Sequence, residues 1–353
     1  MSKHLLMLDS GAFSVWNKGS TINLEEYVSF CSEHPEVSYY VALDIIPGRP
    51  GDKRGLLRNK AESEEGCLNG WKNYRRMTRE LPKEKVIPVY HQNDDIRWLG
   101  KYLEHGSPYI GISPANDCTT LQRMKWMRGL KGLLFDGAGR PVVKTHGFAV
   151  TSFALMRFWE WYSVDSASWK MCGVMGGVYL PQQSQGEDDY SKSPLVIGLS
   201  PMSSAMVKWQ GHINSASPRV KERTYRHLEQ IGIPLGEYKI IKVEKGYSPG
   251  INRGELWYNR KKNEVLKVIV EGAIPNWEYR AIANAYFLKQ ANKVLPVKHI
   301  YFAGAPRLQI EPHLPKRLIT YHDIGSREGK VYQVFKWHMK KASERGNKHA
   351  NQS

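Results

Sequence analysis

Short apolar runs that close on a polar or small residue recur along the chain: "LLMLD" (5–9), "YYVALD" (39–44), "VIPVY" (86–90), "YIGIS" (109–113), "PVVKTH" (141–146), "WYSVD" (161–165), "LVIGLS" (195–200) and "HIYFAG" (299–304). Such near-continuous apolar runs predict strands buried on both faces. Between them lie stretches with helical character at 23–34, 66–81, 94–106, 119–130 and 151–162, several opening on Asn, Asp, Thr or Ser, which can cap a helix start. Strands alternating with helices predict a parallel α/β sheet covered on both sides. Eight such units point to a closed (β/α)8 barrel, the TIM barrel. An open doubly wound sheet is the competitor, but it would normally carry a Gly-rich phosphate loop after its first strand, and "LDSGAFS" (8–14) is not one.

The alternation stops after residue 200. Residues 203–232 read as helical, 238–272 as a hairpin or small sheet rich in Lys and Arg, and 276–293 as helical again. The expected organisation is a barrel with a basic α+β insertion before its last strand. Residues 1–202 carry strands one to seven and the catalytic site, 203–297 the insertion, and 298–335 the last strand and a closing helix. Residues 336–353 form a basic tail, a helix fraying into disorder.

Composition is that of a folding chain: hydrophobic residues make up 41% and charged residues 24% of the 353. The four cysteines are scattered without a CxxC pair, which predicts reduced thiols rather than a disulfide framework or zinc knuckle. His91 and His146 lack HxH or HxxxH spacing, so no metal is expected, and no cofactor fingerprint is present. "HLLML" is too short for a signal segment and no long apolar run follows it, so the expectation is a soluble cytoplasmic protein with no membrane partner. Charge is asymmetric. Residues 1–202 balance at +2, whereas residues 203–353 carry +15 of the net +17. A one-sign field in one part of the chain attracts a polyanion such as nucleic acid; a solubilising surface with a basic tail is the plainer alternative.

In a (β/α)8 barrel the active site is built at the C-terminal ends of the strands. The residues there are Asp9, Asp44, His91 with Gln92, Ser113, His146 and Asp165. An aspartate after a strand is individually a common turn residue. Three on one rim fit chemistry at a glycosidic bond, where one carboxylate attacks or stabilises C1′ and another moves protons for the leaving group. Ser10 and Gly11 permit close backbone approach to a ligand, and Phe13 supplies an apolar wall, which together describe a slot for a planar base. In the basic half, Lys239, Lys242, Lys245, Arg253, Arg260, Lys261 and Lys262 are candidate phosphate contacts. Trp257 and Tyr258 are either stacking platforms or the insertion's own small core.

These segments resemble the tRNA-guanine transglycosylase superfamily. "LDSGAFS" is similar to its DSGGFQ segment, "VALDIIP" (41–47) to its LDE strand end and "HGFAVTSFALMRF" (146–158) to its HGVG-type stretch, while "WYSVDSASW" (161–169) falls where that superfamily places its nucleophilic aspartate. The likeness covers roughly residues 5–170. The family's zinc motif is missing, since no cysteine follows Cys172, and so is its N-terminal sheet. This reduced form looks most like the phage DpdA-type enzymes that insert 7-deazaguanines into DNA. The resemblance implies that Asp165 is the nucleophile, that Asp9 is the general acid/base, and that Ser10, Phe13, Asp44, His91, Gln92, Gly111, Ser113 and His146 bind the base. It implies guanine-containing DNA and a free 7-deazaguanine base as partners. The same exchange on tRNA is the nearest alternative, followed by a non-catalytic nucleic-acid-binding barrel and a polysaccharide-cleaving glycoside hydrolase.

Overall fold

The first apolar run forms β1 (Leu5–Asp9), and a tight turn leads straight into α1 (Ala12–Asn17). α2 (Leu24–Glu33) starts at Asn23, whose Oδ1 accepts the backbone N–H groups of Glu25 and Glu26, donors that a helix start otherwise leaves unpaired. Then come β2 (Tyr39–Val41), α3 (Lys60–Glu80), β3 (Val86–Ile87) and β4 (Val89–His91). Asp95 caps α4 (Ile96–Glu104) by accepting from Arg97 N at 3.0 Å, and after β5 (Tyr109–Ser113) a reciprocal Thr119–Gln122 capping box opens α5 (Thr120–Leu134). β6 (Lys144–Gly147), α6 (Phe153–Phe158) and β7 (Trp161–Ser166) follow. α6 stops short of the expected 162 because Trp161 already belongs to a strand.

This computed structural model describes residues 5–17, 21–46, 60–92, 94–202, 211–250, 253–303 and 332–336. They divide into two compact units. Beyond β7 the chain builds the second unit, Ala167–Val294, from α7 (Ser168–Val174), β8 (Gly177–Leu180), β9 (Gln182–Ser184), β10 (Glu187–Asp189), β11 (Leu195–Gly198), α8 (Pro218–Gln230), β12 (Glu237–Lys242), β13 (Glu255–Asn259), β14 (Glu264–Val270) and α9 (Trp277–Val294). It then returns to the first unit as β15 (Val297–Ala303) and β16 (Tyr332–Lys336).

The first unit is a mixed α/β structure around one sheet of order β3-β2-β1-β16-β15-β7-β6-β5-β4, and every pairing in it is parallel. Its two ends, β3 and β4, are adjacent stretches of one segment separated by Pro88. Proline has no N–H to give to a ladder. Ile87 O accepts from Ala42 N on the β2 side at 2.8 Å, whereas Pro88 O accepts from Gly111 N on the β5 side at 2.8 Å. Met7, Val41, Ile87, Val89, Tyr109, Tyr301 and Ala303 form a single buried cluster drawn from β1, β2, β3, β4, β5 and β15. Each such aliphatic side chain contributes about 1.5–3 kcal/mol by leaving water.

Three expectations are corrected. Leu195–Gly198, expected as the seventh strand of the parallel sheet, pairs antiparallel with Gly177–Leu180 in the second unit. A parallel return needs a full crossover, usually a helix, whereas residues 181–194, which join Gly177–Leu180 to Leu195–Gly198, carry the β9–β10 hairpin and no helix. The excursion from the sheet therefore begins at Ala167 rather than 203 and precedes two strands rather than one. Lastly, Tyr332–Lys336, placed at the end of a closing helix and the start of the tail, is a parallel strand between β15 and β1. Residues 304–331 and 337–353 lie outside the described residues.

Among the described residues of 203–232, the α-helix is Pro218–Gln230, where Ser217 caps the helix and Pro218 fits its first turn, after a single 3-10 turn at Ile213–Ser215. Residues 203–210 are outside the described residues. The basic stretch 238–272 is a three-stranded antiparallel sheet of order β12-β14-β13.

Candidate active site

Side chains alternate across a strand with period two, so residues two beyond a core position return to the core face. Met7 leads to Asp9, Val89 to His91, Tyr109 to Gly111 and Ser113, and Ser163 to Asp165. Parallel register aligns His91 with Ser113 and Asp165 with the core residue Tyr301. All the strands run one way, so Asp9, His91, Ser113 and Asp165 lie at the C-terminal edge of the sheet, on the face of the apolar cluster.

Asp44 follows β2 and is gripped from the end of β4 and from the turn after β1. Its Oδ2 lies 2.8 Å from His91 Nε2 and its Oδ1 accepts from Ser10 Oγ at 3.3 Å. Asp44 and His91 side chains are only 13% and 14% exposed. The turn after β1 sets Asp9 and Ser10: Gly11, at φ +74°, donates its N–H to Asp9 Oδ1 at 3.2 Å, and Ala12 N donates to Ser10 Oγ at 3.3 Å. That left-handed φ favours glycine. Buried Tyr27 is within electrostatic reach of both Asp9 and Asp44: its phenol is held well above its ordinary pKa by burial first, then by Cys31 and these carboxylates.

Asp165 forms a second group with His146. Its Oδ1 accepts from Ala149 N at 2.5 Å and stands 3.8 Å from His146 Nε2. Ala149 has φ +52°, a left-handed conformation costly for a residue with a Cβ, and this turns its N–H toward the carboxylate. The His146 ring is completely buried, and burial pushes its pKa down to about 3, so the imidazole is neutral.

The other expected base contacts have different surroundings. Gln92 is buried with Oε1 accepting from Ala115 N at 3.0 Å and Nε2 donating to Cys118 Sγ at 3.4 Å, so it braces the segment before α5. At Gly111 a Cβ would lie 2.3 Å from Phe148 Cε2: the missing side chain makes room for an aromatic ring of the protein itself. Phe13 is 55% exposed on α1 and stacks on Trp16. Residues the sequence reading passed over are Asp94, whose Oδ2 accepts from His91 N at 2.9 Å, and Ser163 and Tyr109, which bond to each other beneath Asp165. The period-two spacing of Ser163 and Asp165 in "WYSVDS" carried the signal for Ser163.

A cavity of about 10 Å³, roughly one water's worth, lies beside the Asp44–His91 pair and is lined also by Cys67, Asp94, Trp98 and Tyr102. A far larger one of about 750 Å³ opens at the opposite edge of the sheet, lined by Pro108, Lys144, Glu160, Tyr162, Pro296 and Lys298. Size favours the second and chemistry the first, since the first adjoins Asp44 and His91 at the C-terminal edge where Asp9 and Asp165 also lie.

In the second unit Lys239, Lys242, Lys245, Arg260, Lys261 and Lys262 are exposed. Lys239 and Lys242 are three apart on β12 and so face opposite sides of the sheet, which makes the basic cluster two-sided. Arg253 is engaged internally: it donates to Glu255 Oε2 at 2.9 Å, to Ser248 O at 2.9 Å and to Tyr247 Oη at 3.3 Å. The Tyr247 hydroxyl first, then Arg253, holds the Glu255 carboxyl below its usual range. The Arg260 guanidinium sits 5.5 Å from the centre of the Trp257 ring, and Tyr258 is 39% exposed.

Among the described residues no group of three or more His, Cys, Asp or Glu is placed to hold a metal, and no helix is long and apolar enough to cross a membrane. Comparison of the chain with family models, curated proteins and solved structures finds no match.

Proposed function

We propose that the parallel sheet closes into an eight-stranded (β/α)8 barrel and that the protein is a DNA-guanine transglycosylase. Support for closure is that the two ends of the strand order are the two halves of residues 86–91, and that one apolar cluster joins residues of both end strands, β3 and β4, with residues of β1, β2, β5 and β15. The observation that carries the catalytic reading is the placement of Asp9, Asp44 and Asp165 at one edge of one parallel sheet, with the His91 and Ser10 side chains directed at Asp44. Three carboxylates in that position match the needs of base exchange at a glycosidic carbon.

In this mechanism Asp165 attacks C1′ of a deoxyguanosine. The C1′–N9 bond breaks with its electron pair on the base, Asp9 in its acid form supplies the proton, and guanine leaves a sugar–Asp165 ester. The incoming 7-deazaguanine gives its N9 proton to Asp9 and attacks C1′, releasing Asp165 with retention. Asp44 is a pure acceptor suited to N1–H and the 2-amino group of guanine, and His91 and Ser10 keep it aimed. The target nucleotide must leave the base stack, which costs a few kcal/mol. The exposed lysines and Arg260 of the second unit attract the phosphates that offset it.

The test is incorporation of labelled guanine into DNA and tRNA in parallel, with wild type and Asp165→Ala. Incorporation into DNA that vanishes in the variant supports the reading. Exchange on tRNA alone moves the protein to the tRNA-modifying alternative, and no exchange on either removes the enzymatic reading.

A further inference from the structure

Beneath Asp165 runs a buried polar chain that the base-exchange mechanism above does not use. His146 Nδ1 lies 2.5 Å from Ser163 Oγ, and Ser163 Oγ is bonded in turn to Tyr109 Oη. The other ring nitrogen, Nε2, has no hydrogen-bond partner among the described residues and stands 3.8 Å from Asp165 Oδ1. His146 and Ser163 are both 0% exposed and Tyr109 is 1% exposed, so water does not compete for these groups.

A neutral imidazole carries one N–H, and the chain allows two placements of it. With the proton on Nδ1, His146 donates to Ser163 and leaves its buried Nε2 lone pair 3.8 Å from a carboxylate oxygen, which is repulsive. With the proton on Nε2, Tyr109 donates to Ser163, Ser163 donates to Nδ1, and the ring N–H is directed at Asp165. The second placement satisfies every member of the chain and meets negative charge with a donor.

We propose that Tyr109, Ser163 and His146 form a buried relay that fixes the Nε2–H tautomer and presents it to Asp165 Oδ1, making His146 a positioning residue for that carboxylate. The relay requires the 3.8 Å between Nε2 and Oδ1 to shorten to hydrogen-bond distance. Ala149 N–H and His146 Nε2–H then converge on Oδ1, which retains the partial charge as the carbonyl oxygen of the ester, while Oδ2 is the attacking oxygen. This catalytic consequence rests on Asp165 being the nucleophile; the tautomer rests on the geometry alone. His146, expected to touch the base, instead acts through Asp165.

Long-range nitrogen–proton NMR on histidine-labelled protein tests the relay without any substrate. The His146 signal is the one absent in His146→Gln, and the expected result is the Nε2–H tautomer, with an Nε2–H resonance that moves upfield in Asp165→Asn and a mixed tautomer in Ser163→Ala. An Nδ1–H tautomer in wild type, or an Nε2–H signal unmoved in Asp165→Asn, overturns it. In base exchange, Ser163→Ala and His146→Gln should each lower kcat about tenfold or more with KM for DNA unchanged, as expected for a group that acts on the nucleophile. If wild type exchanges no base, the functional reading fails while the NMR result still decides the relay. Should His146→Gln not fold, Ser163→Ala, which keeps the imidazole, carries both arms, and a wild-type kcat in that folded variant removes the positioning role.

Discussion

His91 Nε2 stands 2.8 Å from Asp44 Oδ2, tying the end of β4 to the segment after β2. Asp94 in turn holds the His91 backbone through its N–H at 2.9 Å. Asp44 is thus oriented before any ligand arrives, which lowers the ordering cost of binding.

If Asp44 receives the N1–H and 2-amino donors of guanine, Asp44→Asn replaces one acceptor oxygen with a donor amide. Hydrogen bonds to a charged group are worth about 1.5–3 kcal/mol, so guanine affinity should fall about 10- to 100-fold. The melting temperature should change little, since Asn can still accept from His91 or Ser10. Titration calorimetry with free guanine, alongside a thermal melt, checks both halves.

If Asp165 is the nucleophile, Asp165→Asn keeps shape and removes nucleophilicity. Base exchange should drop by about 10⁴-fold or more, as when other covalent enzymes lose their nucleophile, and no denaturation-resistant protein–DNA adduct should form. Adducts that persist at the wild-type level would show that another residue bonds to the sugar.

Gly111→Ala puts a methyl group where Phe148 Cε2 lies 2.3 Å away. Phe148 packs against the apolar cluster, so the ring or the strand must move, at a cost of about 1–3 kcal/mol. Chemical denaturation should show that loss, and Gly111→Ala combined with Phe148→Leu should recover part of it. A fully stable single variant would mean that the ring relocates freely.

His146 makes stability pH-dependent. Its folded pKa is depressed to about 3 by burial, below the ordinary 6.5 of the unfolded chain. The unfolded state therefore takes up a proton near pH 6.5 that the folded state refuses. This contribution is fully present above pH 6.5 and is lost progressively as pH falls toward 3. Denaturation midpoints of wild type should fall more steeply across that window than those of His146→Gln, and parallel curves would rule out the buried neutral imidazole.

The lysines and arginines of the second unit divide by role. If the protein binds DNA through this basic cluster, simultaneous replacement of Arg260, Lys261 and Lys262 by Ala should weaken that binding and flatten the slope of log K against log salt by about 2–3, one unit for each phosphate left without its cation. Arg253→Ala should leave that slope unchanged and lower the stability of the three-stranded sheet, because its guanidinium serves Glu255 and Tyr247. Equilibrium binding over a salt series separates the two outcomes.

Most strands and helices of the first unit were legible before folding was considered. "LLMLD", "YIGIS" and "WYSVDS" are apolar enough to be strands anywhere, and Asn23, Asp95 and Thr119 mark helix starts by chemistry local to each cap. Strand ends therefore placed Asp9, His91, Ser113 and Asp165 on one edge from sequence alone. Residues 195–198 and 332–336 were misread because an apolar run says that a strand forms and not which strand pairs with it. Partner choice depends on connection length and on which faces are already covered, quantities defined only in three dimensions.

Side-chain pairing was likewise decided by tertiary structure. Asp44 and His91 are 47 residues apart and meet because β2 and β3 are in register. Sequence singled out Gln92 and Gly111 as strand-end residues, but only packing showed that Gln92 accepts from a backbone N–H and that Gly111 leaves clearance for the Phe148 ring. Sequence by itself determined which segments are strands and helices, where acidic groups cluster and where positive charge accumulates, since these follow from local propensity and composition. Only the folded chain decided which carboxylate oxygen faces which donor, because that depends on distances of a few ångströms between residues the sequence keeps far apart.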